Sequence, residues 1–100
     1  MTVVAIPSRE QLAALCERRK IRELSLFGSV ARGDDGPDSD VDLLVDFAPD
    51  APSTIEHYLD TKDDFERLFG RPVDLIREGS VTNPYRQATI RRDRRLLYAA

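Results

Sequence analysis

The chain has 100 residues, of which 41% are hydrophobic and 33% are charged, and its net charge is −3. This length suits one compact domain over residues 1–100 and leaves no room for a separate substrate domain. No apolar run approaches the roughly 18 residues of a membrane-spanning helix, and the N-terminal stretch lacks a basic region. The sequence therefore argues against a membrane protein or a secreted protein, and we expect a cytoplasmic location.

The charges are unevenly distributed along the chain. Residues 34–66 carry 12 acidic side chains and one lysine, whereas residues 84–100 carry five arginines and one aspartate. An acidic centre argues against nucleic acid as the main ligand and favours a divalent cation. The single cysteine, Cys16, lies on an apolar helical stripe and is expected in the core. The single histidine, His57, is expected at a solvated position, so a zinc site is not predicted.

The first third of the chain predicts a helix followed by a strand. Ser8 and Gln11 have the spacing of a capping box, and apolar residues recur at helical spacing from there to the basic cluster at 18–20. Residues 23–27 then alternate polar and apolar side chains up to Gly28, as a half-buried strand does.

The middle of the chain predicts a loop, a second strand and a second helix. Turn-forming residues fill positions 34–39, and residues 41–47 alternate again. Ser53 and Glu56 are predicted to form a second capping box, which opens an apolar stripe that ends at Gly70.

The last third predicts a third strand and a last helix. Residues 73–76 are short and apolar enough for a strand, and Asn83 and Pro84 suit the start of a helix that runs to about Leu97. Elements in this order indicate an α/β protein with a small sheet covered by helices.

Gly28 and Ser29 follow the first predicted strand. A glycine lets the backbone approach a ligand closely, and exposed amides with the Ser29 hydroxyl could donate to phosphate oxygens. Gly-Ser after a strand is more often a simple turn, so both interpretations stay open at this stage.

Asp40 and Asp42 are two residues apart on the second predicted strand, so both carboxylates are expected on one face. Carboxylates at this spacing repel each other, and Mg²⁺ would remove the repulsion through the oxygen ligands that it prefers. Asp74, within the third predicted strand, would complete a cluster if the two strands are neighbours. The alternative is that these aspartates simply face solvent on open strands.

Read together, Gly28-Ser29, ten intervening residues and Asp40-Val41-Asp42 resemble the signature of the polymerase-beta-type nucleotidyltransferases. The string over residues 28–45 resembles most closely the minimal nucleotidyltransferases, which are the antitoxin halves of HEPN/MNT toxin–antitoxin pairs. The resemblance implies a mixed sheet flanked by helices.

The resemblance also implies an activity and roles for individual residues. The family transfers AMP from ATP to a tyrosine hydroxyl of a HEPN ribonuclease toxin, within a hetero-oligomeric complex, and so silences the toxin. By this resemblance Asp40, Asp42 and Asp74 would bind Mg²⁺ and act in catalysis, while Gly28 and Ser29 would hold the nucleotide. The alternatives are a nucleotidyltransferase for a small molecule, such as an aminoglycoside, and a module that inhibits its partner by binding alone.

Several basic and aromatic residues keep two interpretations each. Arg32 could contact phosphates or pair with the acidic loop that follows it. The arginines of the predicted last helix could dock an acidic surface of a partner protein, could touch RNA or could simply be solvated; they are Arg86, Arg91, Arg92, Arg94 and Arg95. The three tyrosines, Tyr58, Tyr85 and Tyr98, are expected in the core or at an interface.

Overall fold

The computed structural model describes residues 6–33, 36 and 39–100. Within these ranges the helices and strands alternate in the order α1 (Arg9–Arg18), β1 (Ile21–Phe27), α2 (Gly28–Arg32), β2 (Val41–Phe47), α3 (Ile55–Phe69), β3 (Val73–Arg77), α4 (Pro84–Asp93) and β4 (Arg95–Ala99). None of these helices is both long enough and apolar enough to cross a membrane.

The four strands form one sheet in the order β3-β2-β1-β4. β1 runs antiparallel to β2 and to β4, whereas β2 and β3 are parallel. A parallel pair requires a crossover connection, and α3 provides it between β2 and β3. The expected mixed sheet flanked by helices is confirmed.

One face of the sheet packs against α1 and α3. The fully buried side chains on this face include Leu24, Leu43 and Leu75 from three neighbouring strands, and Cys16 and Phe65 from the two helices. This apolar layer holds the strands in register. Cys16 is wholly buried within it, as the sequence predicted.

The opposite face is only partly covered. Phe27 and Leu44 pack there against Ile90 of α4 in a second, smaller cluster. Alternate side chains of a strand share a face, so Asp42 lies on the same face as Leu44. The aspartates that the sequence singled out on β2 and β3 are therefore on the face that carries α4.

The helix starts confirm one predicted cap and correct another. The capping box of α1 is confirmed, because the Ser8 hydroxyl accepts from the Gln11 amide at 3.1 Å and the Gln11 side chain accepts from the Ser8 amide at 3.0 Å. The box predicted at Ser53 is wrong: α3 is capped by Thr54, whose hydroxyl accepts from the amide of His57 at 3.1 Å.

The predicted last helix is too long. It ends at Asp93, and residues 95–99 form β4 along the free edge of β1. The backbone of Arg94 leaves the helix with ψ at 129°, and its side chain donates to Ser25 at 2.8 Å and to Glu23 at 2.7 Å. These contacts to a strand about 70 residues earlier in the chain fix the turn. A local sequence pattern cannot indicate them.

Candidate functional site

Asp42 and Asp74 are direct partners in the parallel ladder between β2 and β3. Both side chains are half-buried and lie on the sheet face that carries α4. Neighbouring strands are about 4.8 Å apart, so the backbone itself holds the two carboxylates side by side. The structure thus brings together the two strands that the sequence analysis required to be neighbours.

Asp40 lies one residue before β2 and is exposed. The strand begins at Val41, as the alternation of residues 41–47 predicted, but the expectation that Asp40 lies on the same strand as Asp42 is wrong, because Asp40 is outside the ladder. Its charge still acts on Asp42. Burial raises the pKa of Asp42, the charges of Asp74 and Asp40 raise it further, and Arg86 and Arg32 oppose the rise. The ionised form of Asp42 is disfavoured, which is the electrostatic condition that a bound cation relieves.

The junction between β1 and α2 presses against Asp42. Phe27, the last residue of β1, is the register partner of Asp42 in the antiparallel ladder, and Gly28 follows it. Gly28 has φ at 74°, and a Cβ built on it would collide with the Asp42 carboxylate, lying 3.1 Å from the Asp42 Cγ. Only glycine satisfies both the left-handed backbone and the close approach.

Ser29 is the second residue of α2. Phe27 caps this helix without any side-chain hydrogen bond, so no capping side chain satisfies the first amides of the helix. The helix begins at Gly28, which lies against the Asp42 carboxylate, and Ser29 is half-buried. Donors of this kind next to carboxylates can hold the phosphates of a nucleotide together with its cation.

Arg86 places a positive charge at the same site. Its guanidinium lies 3.7 Å from the Asp74 carboxylate, and both side chains are about half exposed. Arg86 is one of the arginines of the predicted last helix, to which the sequence assigned no site. A signal was present: the first turn of α4 has no acidic residue and includes this arginine, although the helix dipole favours carboxylates there.

Arg32 ties α2 to α4. Its guanidinium lies 2.8 Å from the carboxylate of Asp93, which also accepts from Arg92 at 3.0 Å. The Asp93 side chain is only 5% exposed. Loop residues 34, 35, 37 and 38 are outside the described residues, so the expected pairing of Arg32 with the acidic loop stays a prediction.

The donor set fits a divalent cation by its chemistry. Carboxylate oxygens are the ligands that Mg²⁺ prefers, and burial, followed by the charges of Asp74 and Asp40, raises the pKa of Asp42, which a bound cation would counteract. Among the residues that the structure describes, no group of three or more His, Cys, Asp or Glu side chains is arranged to hold a metal ion. Asp42 and Asp74 therefore form the fixed part of the predicted site, and Asp40 lies beside it on the approach to β2.

His57 and two of the three tyrosines contribute to packing. The expected solvated position of His57 is wrong: its ring nitrogen Nε2 is 2.8 Å from the carbonyl oxygen of Arg19, and its ring contacts Phe47. Tyr58 donates to the Leu75 carbonyl at 2.5 Å. Tyr98 packs against the core, as expected, whereas Tyr85 is 86% exposed.

A family model described as "Nucleotidyltransferase domain" matches residues 8–97. The chain belongs to this family. Protein adenylyltransferase MntA of Thermococcus cleftensis is 38% identical to this nucleotidyltransferase over 77 residues, which are 77% of this chain and 76% of the relative. The resemblance to minimal nucleotidyltransferases is thereby confirmed.

Two solved structures share the fold of this nucleotidyltransferase. A chain of a toxin–antitoxin complex with AMP-PNP superposes with a TM-score of 0.72 at 19% identity, and the match covers 93% of this chain and 74% of that chain. The second structure is a complex between the tri-AMPylated HEPN toxin of Shewanella oneidensis and an MNT antitoxin. One of its chains superposes with a TM-score of 0.64 at 17% identity, and the match covers 92% of this chain and 70% of that chain. The mixed four-stranded sheet is thus the fold of this family.

Proposed function

We propose that this nucleotidyltransferase is the antitoxin of a HEPN/MNT pair. It transfers AMP from Mg²⁺-bound ATP to a tyrosine hydroxyl of its cognate HEPN ribonuclease toxin, within a hetero-oligomeric complex in the cytoplasm, and so neutralises the toxin. The observation that carries the proposal is the pairing of Asp42 with Asp74 beside the Gly28 junction. The 38% identity to a protein adenylyltransferase and the fold shared with toxin–antitoxin complexes support it.

Gly28 and Ser29 hold the nucleotide in this proposal. The proposal assigns phosphate binding to the first amides of α2, which no capping side chain satisfies, and to the Ser29 hydroxyl, while Gly28 lets the backbone lie directly against the Asp42 carboxylate. These groups orient the triphosphate so that its α-phosphorus faces the carboxylates. Positioning of this kind supplies much of the rate enhancement in phosphoryl transfer.

Asp40, Asp42 and Asp74 would bind Mg²⁺, whose charge would stabilise the negative charge that develops on the phosphates. Asp74 also accepts the proton of the acceptor hydroxyl in our proposal. The hydroxyl oxygen forms a bond to the α-phosphorus while the bond to the pyrophosphate oxygen breaks, and pyrophosphate leaves. The half-exposed position of Asp74 keeps it reachable by a residue of another protein.

The proposal is tested by incubating the chain and its HEPN partner with ATP labelled at the α-phosphate. We expect label on the partner, and a loss of at least about 100-fold in Asp42→Asn and in Asp74→Asn, because each substitution removes charge from the transfer site. Asp46→Asn is the matched control. Asp46 lies on the same strand and face as Asp42 but pairs with Arg22 at 2.7 Å, so this variant should keep its activity.

The same assay separates the alternatives. An unlabelled partner that is nevertheless inhibited would contradict catalysis and favour inhibition by binding alone. Label on an aminoglycoside but not on the partner would favour the small-molecule alternative. Label that persists when the acceptor tyrosine of the toxin is changed to phenylalanine would contradict the proposed acceptor.

A further inference from the structure

Arg86 is held loosely at the site, in contrast to Arg32, which pairs closely with a carboxylate of α4. Its guanidinium is 3.7 Å from the Asp74 carboxylate, which is beyond hydrogen-bonding distance, whereas Arg32 is 2.8 Å from Asp93. Both side chains of the Arg86–Asp74 pair are about half exposed, whereas the Arg32–Asp93 pair has a carboxylate that is only 5% exposed. A long side chain in a loose, solvated ion pair can exchange partners at little cost.

The helix dipole of α4 alone would disfavour a positive charge at Arg86, and the nearby carboxylate of Asp74 explains why an arginine stands there. It stands in the first turn of α4, where the positive end of the helix dipole disfavours a cation. The Asn83 side chain caps this turn by accepting from the backbone amides of Tyr85 and Arg86, so the helix start does not depend on the Arg86 side chain. The guanidinium is therefore available to pair with the carboxylates on the sheet that α4 covers.

We propose that Arg86 is a nucleotide-binding residue that exchanges partners: it neutralises Asp74 in the empty site and turns to the phosphates of the bound nucleotide when a divalent cation occupies the carboxylates. This inference rests on the function proposed above. A cation and the guanidinium compete for the same Asp74 oxygen, so loading the cation releases Arg86. The triphosphate then brings the negative charge that the released arginine can pair with.

If Arg86 exchanges partners, its substitution should change cation binding and nucleotide binding in opposite directions. Without Arg86, the carboxylates lose a competitor, so binding of a divalent cation alone should become about threefold tighter. The nucleotide loses a charged partner, so binding of the cation–nucleotide complex should become about tenfold weaker. Substitution of a residue that only supports the fold would weaken both the binding of the cation and the binding of the nucleotide complex.

The test uses the full chain and two binding measurements that require no turnover. Free Mn²⁺ is followed by electron paramagnetic resonance during titration of the protein. Calorimetry in the presence of Mn²⁺ measures the binding of an ATP analogue whose α- and β-phosphorus atoms are joined by a methylene group. The variants are Arg86→Ala and Arg86→Gln, and the matched control is Arg91→Ala on the same helix. Arg91 is exposed and forms part of a separate shallow cavity with Leu44 and Ile90.

We expect both Arg86 variants to bind Mn²⁺ more tightly and the analogue more weakly than the wild type, while Arg91→Ala matches the wild type in both. Unchanged binding, or a change of the same sign in both measurements, would overturn the role of Arg86. Failure of the wild type to bind the analogue at all would instead overturn the proposed nucleotidyl transfer. Circular dichroism of each variant confirms that the comparison is made between folded proteins.

Discussion

Gly28 and Asp42 approach each other so closely that no side chain fits between the β1–α2 junction and the carboxylate. The first prediction follows from this contact. Gly28→Ala should lose about 100-fold in AMP transfer, because the added methyl group must displace Asp42 from the site. Gly33→Ala is the matched control: Gly33 also has positive φ, at 79°, but a Cβ there meets nothing within 4 Å.

Both alanine variants should lose roughly 1 kcal/mol of stability, because a residue with a Cβ is strained in the left-handed region. Only Gly28→Ala should lose activity. Denaturant unfolding and the labelling assay measure the two quantities separately. Equal activity in the two variants would mean that the contact with Asp42 is unimportant for transfer.

The link between Arg32 and Asp93 gives the second prediction. Asp93→Asn should raise the KM for ATP about tenfold and lower kcat less, because α2 would lose its attachment to α4 and its amides would hold the triphosphate less well. Arg92→Ala is the control, since it removes the second contact of Asp93 but leaves the pair with Arg32 intact. Steady-state kinetics measure both, and an unchanged KM in Asp93→Asn would contradict the prediction.

The third prediction concerns stability against acid. Asp64 of α3 accepts from Arg19 at 2.6 Å and from Arg18 at 3.1 Å, which joins α3 to α1. Burial alone would raise the pKa of Asp64, but the two arginines outweigh burial and hold it below its usual range. A carboxyl group with a lowered pKa stabilises the fold above its unfolded pKa of about 3.9, and this stabilisation is lost as the pH falls below that value.

Asp64→Asn should therefore lower the free energy of unfolding by about 1–2 kcal/mol at pH 7, and the difference from the wild type should shrink as the pH falls through the lowered pKa of Asp64. Urea unfolding at a series of pH values measures it. Asp63→Asn is the control, because Asp63 forms only an exposed pair with Arg67 within the same helix. A difference that is independent of pH would show that the charge of Asp64 is not its source.

The fourth prediction uses the buried thiol. Burial, with a smaller contribution from Glu17, raises the pKa of Cys16 to about 12. Very little thiolate exists at pH 8, so iodoacetamide should leave the native protein unlabelled for hours and label it quickly in urea. Mass spectrometry gives the labelled fraction. Rapid labelling without denaturant would indicate that α1 separates readily from the sheet.

Local sequence patterns predicted the parts of the fold that local interactions create. The Ser8 cap depends on a residue three positions away, and the common face of Asp42 and Leu44 follows from the two-residue period of a strand. The patterns failed where a distant partner decides. The residues of β4 become a strand because β1 has a free edge for them, and Ser53 and Thr54 are equally able to cap α3 until packing selects one.

The candidate site divides in the same way. Gly28, Ser29, Asp40 and Asp42 stand within one continuous stretch, so the resemblance of that stretch to a known family could assign them expected roles. Asp74 required the assumption that its strand lies next to β2, and the parallel ladder fulfils it. The contribution of Arg86 depends on a helix that crosses back over the sheet to Asp74; the sequence shows an arginine in an unfavourable first turn but does not identify its partner.

The ladder between β2 and β3 has a consequence for how such proteins diverge. The gap between Asp42 and Asp74 is set by the spacing of backbone strands and not by the shapes of the side chains around them. Apolar residues elsewhere in the sheet can therefore be exchanged over long evolutionary times while Asp42 and Asp74 stay paired across the two strands. A lineage can replace four residues in five, as the 19% identity at a TM-score of 0.72 illustrates, and still inherit the same fold.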